Sequence, residues 1–164
     1  MANTSLIGLT LPATGTLSGQ WGDTVNNAIS QIIDVAVAGT QTISTDADIT
    51  LTLTTGTYAS TGLTANSSQY AVILWTAGGT ATRTITVPAQ SKTYVVINKT
   101  SSTQSITIQG TTGTGVTVAA GTRAIVAWDG TNFVNVGGGS AAGSNTQVQF
   151  NSSGAFGASS ALTW

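Results

Sequence analysis

Two aspartates two positions apart, Asp46 and Asp48, are the residues of this chain whose type and spacing come closest to a chemical site. Carboxylate oxygens suit a hard cation, and a pair of carboxyl groups flanking a bond is the machinery of glycoside hydrolysis. At the start of a strand, side chains two positions apart face the same side, so the pair would act together. Both uses fall short. Calcium takes about six to eight oxygen ligands, and two carboxylates with no further acid close by are a weak set. Two exposed aspartates in one turn also share one environment, whereas an acid and a base need their pKa values pushed apart. A solvated turn is the better account of the pair.

The remaining inventory is spare. The chain has no histidine, cysteine or glutamate, and its other acids are Asp23, Asp34 and Asp129. That excludes thiol nucleophiles, disulfides, zinc sites of cysteine and histidine, and any triad that needs imidazole. No catalytic, metal or cofactor-binding residue is assigned, and the expectation is a protein that is not an enzyme and uses no cofactor. The four bases, Arg83, Lys92, Lys99 and Arg123, are scattered and the net charge is −1, so nucleic acid is not an expected partner. "LPATG" (11–15) matches a sortase sorting signal, but such a signal precedes an apolar span and a basic tail, and neither follows here. A proline-glycine turn ahead of a helix explains it better. "GTTGTG" (110–115) has no following Lys-Ser or Lys-Thr and reads as turn, not phosphate cradle. Of the tryptophans, Trp75 and Trp128 lie inside apolar strands and are expected in the core or between sheets. No run of about 18 apolar residues and no basic-then-apolar leader is present, so neither a membrane span nor a secretory signal is expected.

With only 5 % of residues charged, against roughly 25 % in ordinary globular proteins, solubility must rest on hydroxyls, amides and glycine, or on surfaces covered by other copies. Residues 1–17 read as an extended arm with apolar Leu6, Leu9 and Leu11 ahead of Pro12, ordered only where it touches something else. Residues 18–39 form an amphipathic helix, because Trp21, Val25, Ala28, Ile29, Ile32, Ile33, Ala36 and Val37 recur at steps of three and four. Ser18 is placed to cap it and Gly39 to stop it.

From 40 to 136 the period changes to two. "DITLTLT" (48–54) reads as a strand with one buried face. "QYAVILW" (69–75), "TYVVIN" (93–98) and "RAIVAW" (123–128) are apolar on both faces and are expected to be central strands. "RTITV" (83–87), "QSITIQ" (104–109), "GVTVA" (115–119) and "NFVNV" (132–136) alternate and read as edge or one-face strands, with "DGTN" (129–132) as a hairpin turn. The fold class is mainly β: arm, one helix, then a β-sandwich of jelly-roll-like type. A Gly/Ser/Ala-rich linker (137–145) leads to a connector (146–164) whose apolar residues, Val148, Phe150, Phe156, Leu162 and Trp164, must pack on other copies, on the sandwich or on further sequence.

Three segments, in order, resemble the tail fibres and related virion structural proteins of tailed bacteriophages. "LTLPATGTLSGQWGDTVNNAISQIID" is similar to the front of such fibres: Leu-Pro, a short glycine stretch, Trp-Gly, Asn, and an aliphatic helix ending in Asp. "RTITVPAQSKTYVVINKTSSTQSITIQGTTGTGVTVAAGTRAIVAWDGTNFV" resembles a β-module of these proteins, with its Tyr-Val-Val-x-Asn, Gly-Val-Thr-Val, Ala-Gly and Asp-Gly-Thr-Asn steps. "GSNTQVQFNSSGAFGASSALTW" is similar to a connector between fibre modules.

The resemblance implies a homotrimer in the virion, whose N-terminal part attaches to a tail adaptor, baseplate or other virion protein while a distal region recognises the host, including surface glycan. Leu6, Leu9, Leu11 and Pro12 are the expected attachment residues. Trp21, Val25, Ala28, Ile32 and Val35 are compatible with a short trimer seam, or with packing on the chain's own sandwich. Connectors of this kind lead on to more chain, so these residues are expected to be the anchoring piece of a longer fibre, or else a small virion protein reusing the same modules. The alternatives are a head decoration protein and a glycan-binding module using Tyr58 or Phe133; a polysaccharide-degrading enzyme would need more acids than the chain has.

Overall fold

The computed structural model describes residues 2–57, 59, 62–137, 144–152 and 155–163. Short apolar strands divide between two facing sheets. One has five strands, β3 (Thr40–Ile43), β5 (Val72–Trp75), β7 (Thr93–Asn98), β10 (Arg123–Trp128) and β11 (Phe133–Asn135), in the order β11-β10-β7-β5-β3. The other has four, β4 (Ile49–Thr50), β6 (Arg83–Thr86), β8 (Ile106–Gln109) and β9 (Val116–Val118), in the order β4-β6-β8-β9.

From β3 to β8 the chain alternates between the sheets, and each return lays a strand parallel to the one before. Val72 lies beside Val95 and Arg83 beside Ile106, the same 23-residue step in both sheets. The chain therefore winds as a flattened coil in which each crossover between parallel strands is itself a strand of the opposite sheet. A jelly roll pairs neighbouring strands antiparallel; the two-layer expectation is met, but with this coiled connectivity. The step is hard to see in sequence because few residues repeat along it: Val72/Val95, Thr80/Thr103, Thr84/Thr107 and Ile85/Ile108 are identical, while Trp75 faces Asn98.

Three antiparallel strands end the coil, β9 on β8, β10 on β7, and β11 on β10. The last pair turns at Asp129–Asn132, where Gly130 has φ +106° and the Asp129 N–H donates to Asn132 O at 3.0 Å. The strands expected to be central, β5, β7 and β10, are the interior strands of their sheet. The one expected over 48–54 is shorter: after Thr50 only Thr52 makes a bridge, to Ser67.

Between the sheets lie Ile43, Leu51, Ile73, Trp75, Ile85, Val96, Ile106, Ile108, Val126 and Phe133, all buried. Each such side chain stabilises the fold by about 1.5–3 kcal/mol relative to exposure. Trp75 is fully buried and Trp128 packs on the cluster with its ring 5.4 Å from Phe133, as their strand positions predicted.

The helix spans residues 21–38: α-helical turns at Trp21–Val25 and Gln31–Ala38 flank a π-helical stretch at Asn26–Ser30. It begins after Gln20 without a side-chain cap, so Ser18 does not cap it. Gly39 does end it, in an extended conformation, and a Cβ there would come within 2.7 Å of Val35 O. Among the described residues, no helix is long and apolar enough to cross a membrane.

The N-terminal arm is not a free extended segment. Its β1 (Ala2–Asn3) and β2 (Thr10–Leu11) pair antiparallel, and the loop between them docks on the coil. At the C-terminal side, the connector forms a hairpin of β12 (Gln147–Ser152) and β13 (Ala155–Thr163). Most of the expected linker, residues 138–143, lies outside the described residues.

Candidate attachment surface

The arm is held by one buried glutamine. Gln69, 1 % exposed, donates from Nε2 to Ile7 O at 3.2 Å and to Thr54 O, while its Oε1 accepts from Thr54 N at 3.1 Å and from Ser67 Oγ. A second contact runs from Thr10 Oγ1 to Gly56 O at 2.8 Å, and a third from Gln90 Nε2 to Ser5 O at 2.6 Å. Gly8, at φ +71°, takes the left-handed turn of this loop, and any Cβ there would collide with Thr54 O. Polar groups of the arm thus face inward while two of its leucines turn out: Leu6 is 55 % and Leu11 49 % exposed, with Leu9 and Pro12 half-buried and Leu17 buried. Beyond Pro12, a groove lined by Pro12, Ala13, Thr14, Gly15, Leu17, Ser18 and Trp21 runs to the first turn of the helix.

The helix has two apolar rows with different fates. Thr24, Ala28 and Ile32 are buried, and the row sits on Gly56, where a Cβ would lie 2.6 Å from Ala28 Cα and 2.9 Å from Ile32 Cδ1. Trp21, Val25, Ile29, Ile33 and Val37, four residues apart, face away: Trp21, Ile33 and Val37 are exposed, Val25 and Ile29 half-buried. Four residues overshoot a 3.6-residue turn, so such rows drift round an α-helix; the wider π turns at Asn26–Ser30 counter the drift. The expected seam is thus divided. Ala28 and Ile32 pack on their own chain, Val35 is half-buried beside Gly39, and Trp21 and Val25 belong to the outward row.

Asp46 and Asp48 serve the coil. Asp46 accepts from Arg83 Nε at 2.7 Å and Gln104 Nε2 at 2.6 Å, and Asp48 accepts from Thr84 N at 2.9 Å. Hydrogen bonds from Arg83 and then Gln104 hold the Asp46 carboxyl below its ordinary pKa. Gln104, fully buried, also receives the Trp75 indole N–H at 3.0 Å and donates to Ala81 O at 2.9 Å. Gly79 lies between Asp46 and Gln104, where a Cβ would sit 2.5 Å from Asp46 Oδ2. Asn98 adds Nδ2 bonds to Gln104 O and Val118 O at 2.8 and 3.0 Å. The aspartates do lie in an exposed turn, and that turn is also a suture across successive windings, a role that sequence spacing could not disclose because the partners lie 36 to 58 positions away. Among the described residues, no three acids gather as a metal site.

Of the aromatics suggested for glycan stacking, Phe133 is 2 % exposed, between the rings of Tyr94 and Trp128. Pairing with Trp128 turns the Phe133 ring into the core, away from any glycan. Tyr58 lies outside the described residues, as does Trp164 of the connector. Phe150, Phe156 and Leu162 of the connector are exposed and Val148 is half-buried, with the Phe150 ring lying over Gly157. Comparisons of the chain with family models, curated proteins and solved structures find no match.

Proposed function

We propose that this chain is a structural, non-enzymatic virion component, the virion-attaching part of a homotrimeric phage tail fibre that links tail or baseplate to a distal host-recognition region. The resemblance of its three segments motivates the reading. The observation that carries it is the outward apolar surface of the arm and helix, Leu6, Leu11 and Trp21, on a base pinned to the coil by Gln69. A pre-ordered apolar surface is suited to attachment, because little conformational entropy is lost when a partner covers it. Use of Asp46 as an ion-pair and hydrogen-bond partner supports the non-enzymatic reading, and burial of Phe133 weakens the glycan-stacking alternative.

The test is incorporation into particles. Leu11→Asp with Trp21→Asp leaves the Gln69 clamp intact, so the chain is expected to fold normally and to be lost from purified virions. Normal incorporation of the folded double variant would overturn the assignment of attachment to this surface.

A further inference from the structure

The outer face of the five-stranded sheet is apolar over β5, β7, β10 and the end of β11, and among the described residues no further sheet or helix is layered on it. Val72, Val95, Ile125 and Val136 form one crosswise row, and Leu74 and Ile97 the next. Ile125 and Val136 are 41 % and 54 % exposed and the other four half-buried. All-parallel sheets have both faces covered, and this sheet is parallel over β3, β5 and β7. Here the inner face has the four-stranded sheet, and the chain's own helix is seated elsewhere, on Gly56.

We propose that the outward row of the helix of one copy, Val25 to Val37, docks on this outer sheet face of a second copy. Charge argues for that occupant. The helix carries Asp23 and Asp34 and no base, while the rim of the sheet face carries Arg123, beside Ile97, and the exposed Lys99. A shallow groove lined by Val95, Arg123, Ile125, Asn135 and Gly137 opens at that rim. Size agrees as well. The helical row is about 18 Å long at 1.5 Å per residue, and the four strands that carry the apolar row, about 4.8 Å apart, span about 14 Å, so the row can cross all four. The contact uses two different patches, so it is head-to-tail, and it closes into a ring of three when successive copies are related by a third of a turn. It deepens the homotrimer reading and rests on it for the number of copies.

Native cysteine is absent, so single-cysteine variants report the contact directly. Ile33→Cys and Ile97→Cys chains, each checked for native circular dichroism, are oxidised mildly alone and mixed. The expected result is a covalent dimer in the mixture and little in either alone. Dimer from Ile33→Cys alone at the mixed rate would mean a helix-to-helix seam and overturn the proposal. So would dimer from Ile97→Cys alone at that rate, or a native mass of one copy for the unmodified chain. Asp34→Lys or Arg123→Asp, added singly, should lower the mixed yield about two- to five-fold, and together restore it; failure of the exchange to restore it would overturn the charge pairing. Particle incorporation separates this inference from the proposed function. A monomeric chain that still loads onto virions through Leu11 and Trp21 sinks only the docking. A cross-linked ring that never loads sinks only the attachment.

Discussion

Two buried glutamines, Gln104 and Gln69, do the same job in two regions and leave different surfaces behind. Gln104 ties Asp46, Ala81 and Trp75 together across successive windings. Around it the outside is polar: Asp46, Arg83, Ser102 and Thr100 bond to one another or to backbone. Gln69 ties Ile7, Thr54 and Ser67 together, and around it the outside is Leu6, Leu11 and Trp21. The bonding inside a region thus says little about its purpose. What distinguishes them is whether the outer residues have partners within the chain, and only the second region is left wanting one.

The comparison breaks most sharply at Gln104. Gln104→Ala would strand the buried Trp75 indole N–H, and is expected to lower the unfolding free energy of the whole sandwich by about 3 kcal/mol, read by denaturant titration. Gln69→Ala should instead loosen the arm, making residues near 12–16 a protease site while the main transition moves less. Equal loss of global stability would show that the arm belongs to the core cooperative unit.

Next comes the seat of the helix. Gly56→Ala pushes a methyl into Ala28 and Ile32 and is expected to cost about 1–3 kcal/mol, with loss of far-ultraviolet helical signal before the β signal in thermal unfolding. A single joint transition would mean that helix and sandwich unfold as one.

Thr24 offers the opposite sign. Its hydroxyl is buried and, among the described side-chain atoms, is without a hydrogen-bond partner. Thr24→Val keeps the shape and removes the orphan, and should raise stability by about 1 kcal/mol; a drop would reveal an occupant of that site.

The last effect is in pH. Burial lowers the Lys92 pKa from 10.5 to about 8. The Tyr94 ring, 4.2 Å from Nζ, and Tyr70 O, at 2.8 Å, favour the charged form and make the effect shallower than burial alone would give. Between about 8 and 10.5 the unfolded chain binds the extra proton, so through this group stability rises with pH across that window and is flat below it. Lys92→Met should remove that slope in unfolding curves taken at pH 8 and 10.

Much of the fold was written in local pattern. The four-residue spacing from Trp21 to Val37 determines a helix, alternation determines strands at 83–86 and 106–109, and Asp129-Gly130 determines the hairpin. Such signals are legible because backbone periodicity and φ preference act over a few residues. The 23-residue winding, the parallel pairing and the docking of the arm were decided by tertiary structure. They depend on which apolar faces meet across the sandwich and on contacts such as Ser5 with Gln90, 85 positions apart. The candidate surface shows the same division. Sequence determined that Leu6, Leu11 and Trp21 are apolar neighbours of a helix start; only the packing of Ala28 and Ile32 on Gly56 decided which side of that helix remains outside. One row had a partner within reach in the folded chain, and burial takes whichever apolar surface the geometry lets it reach.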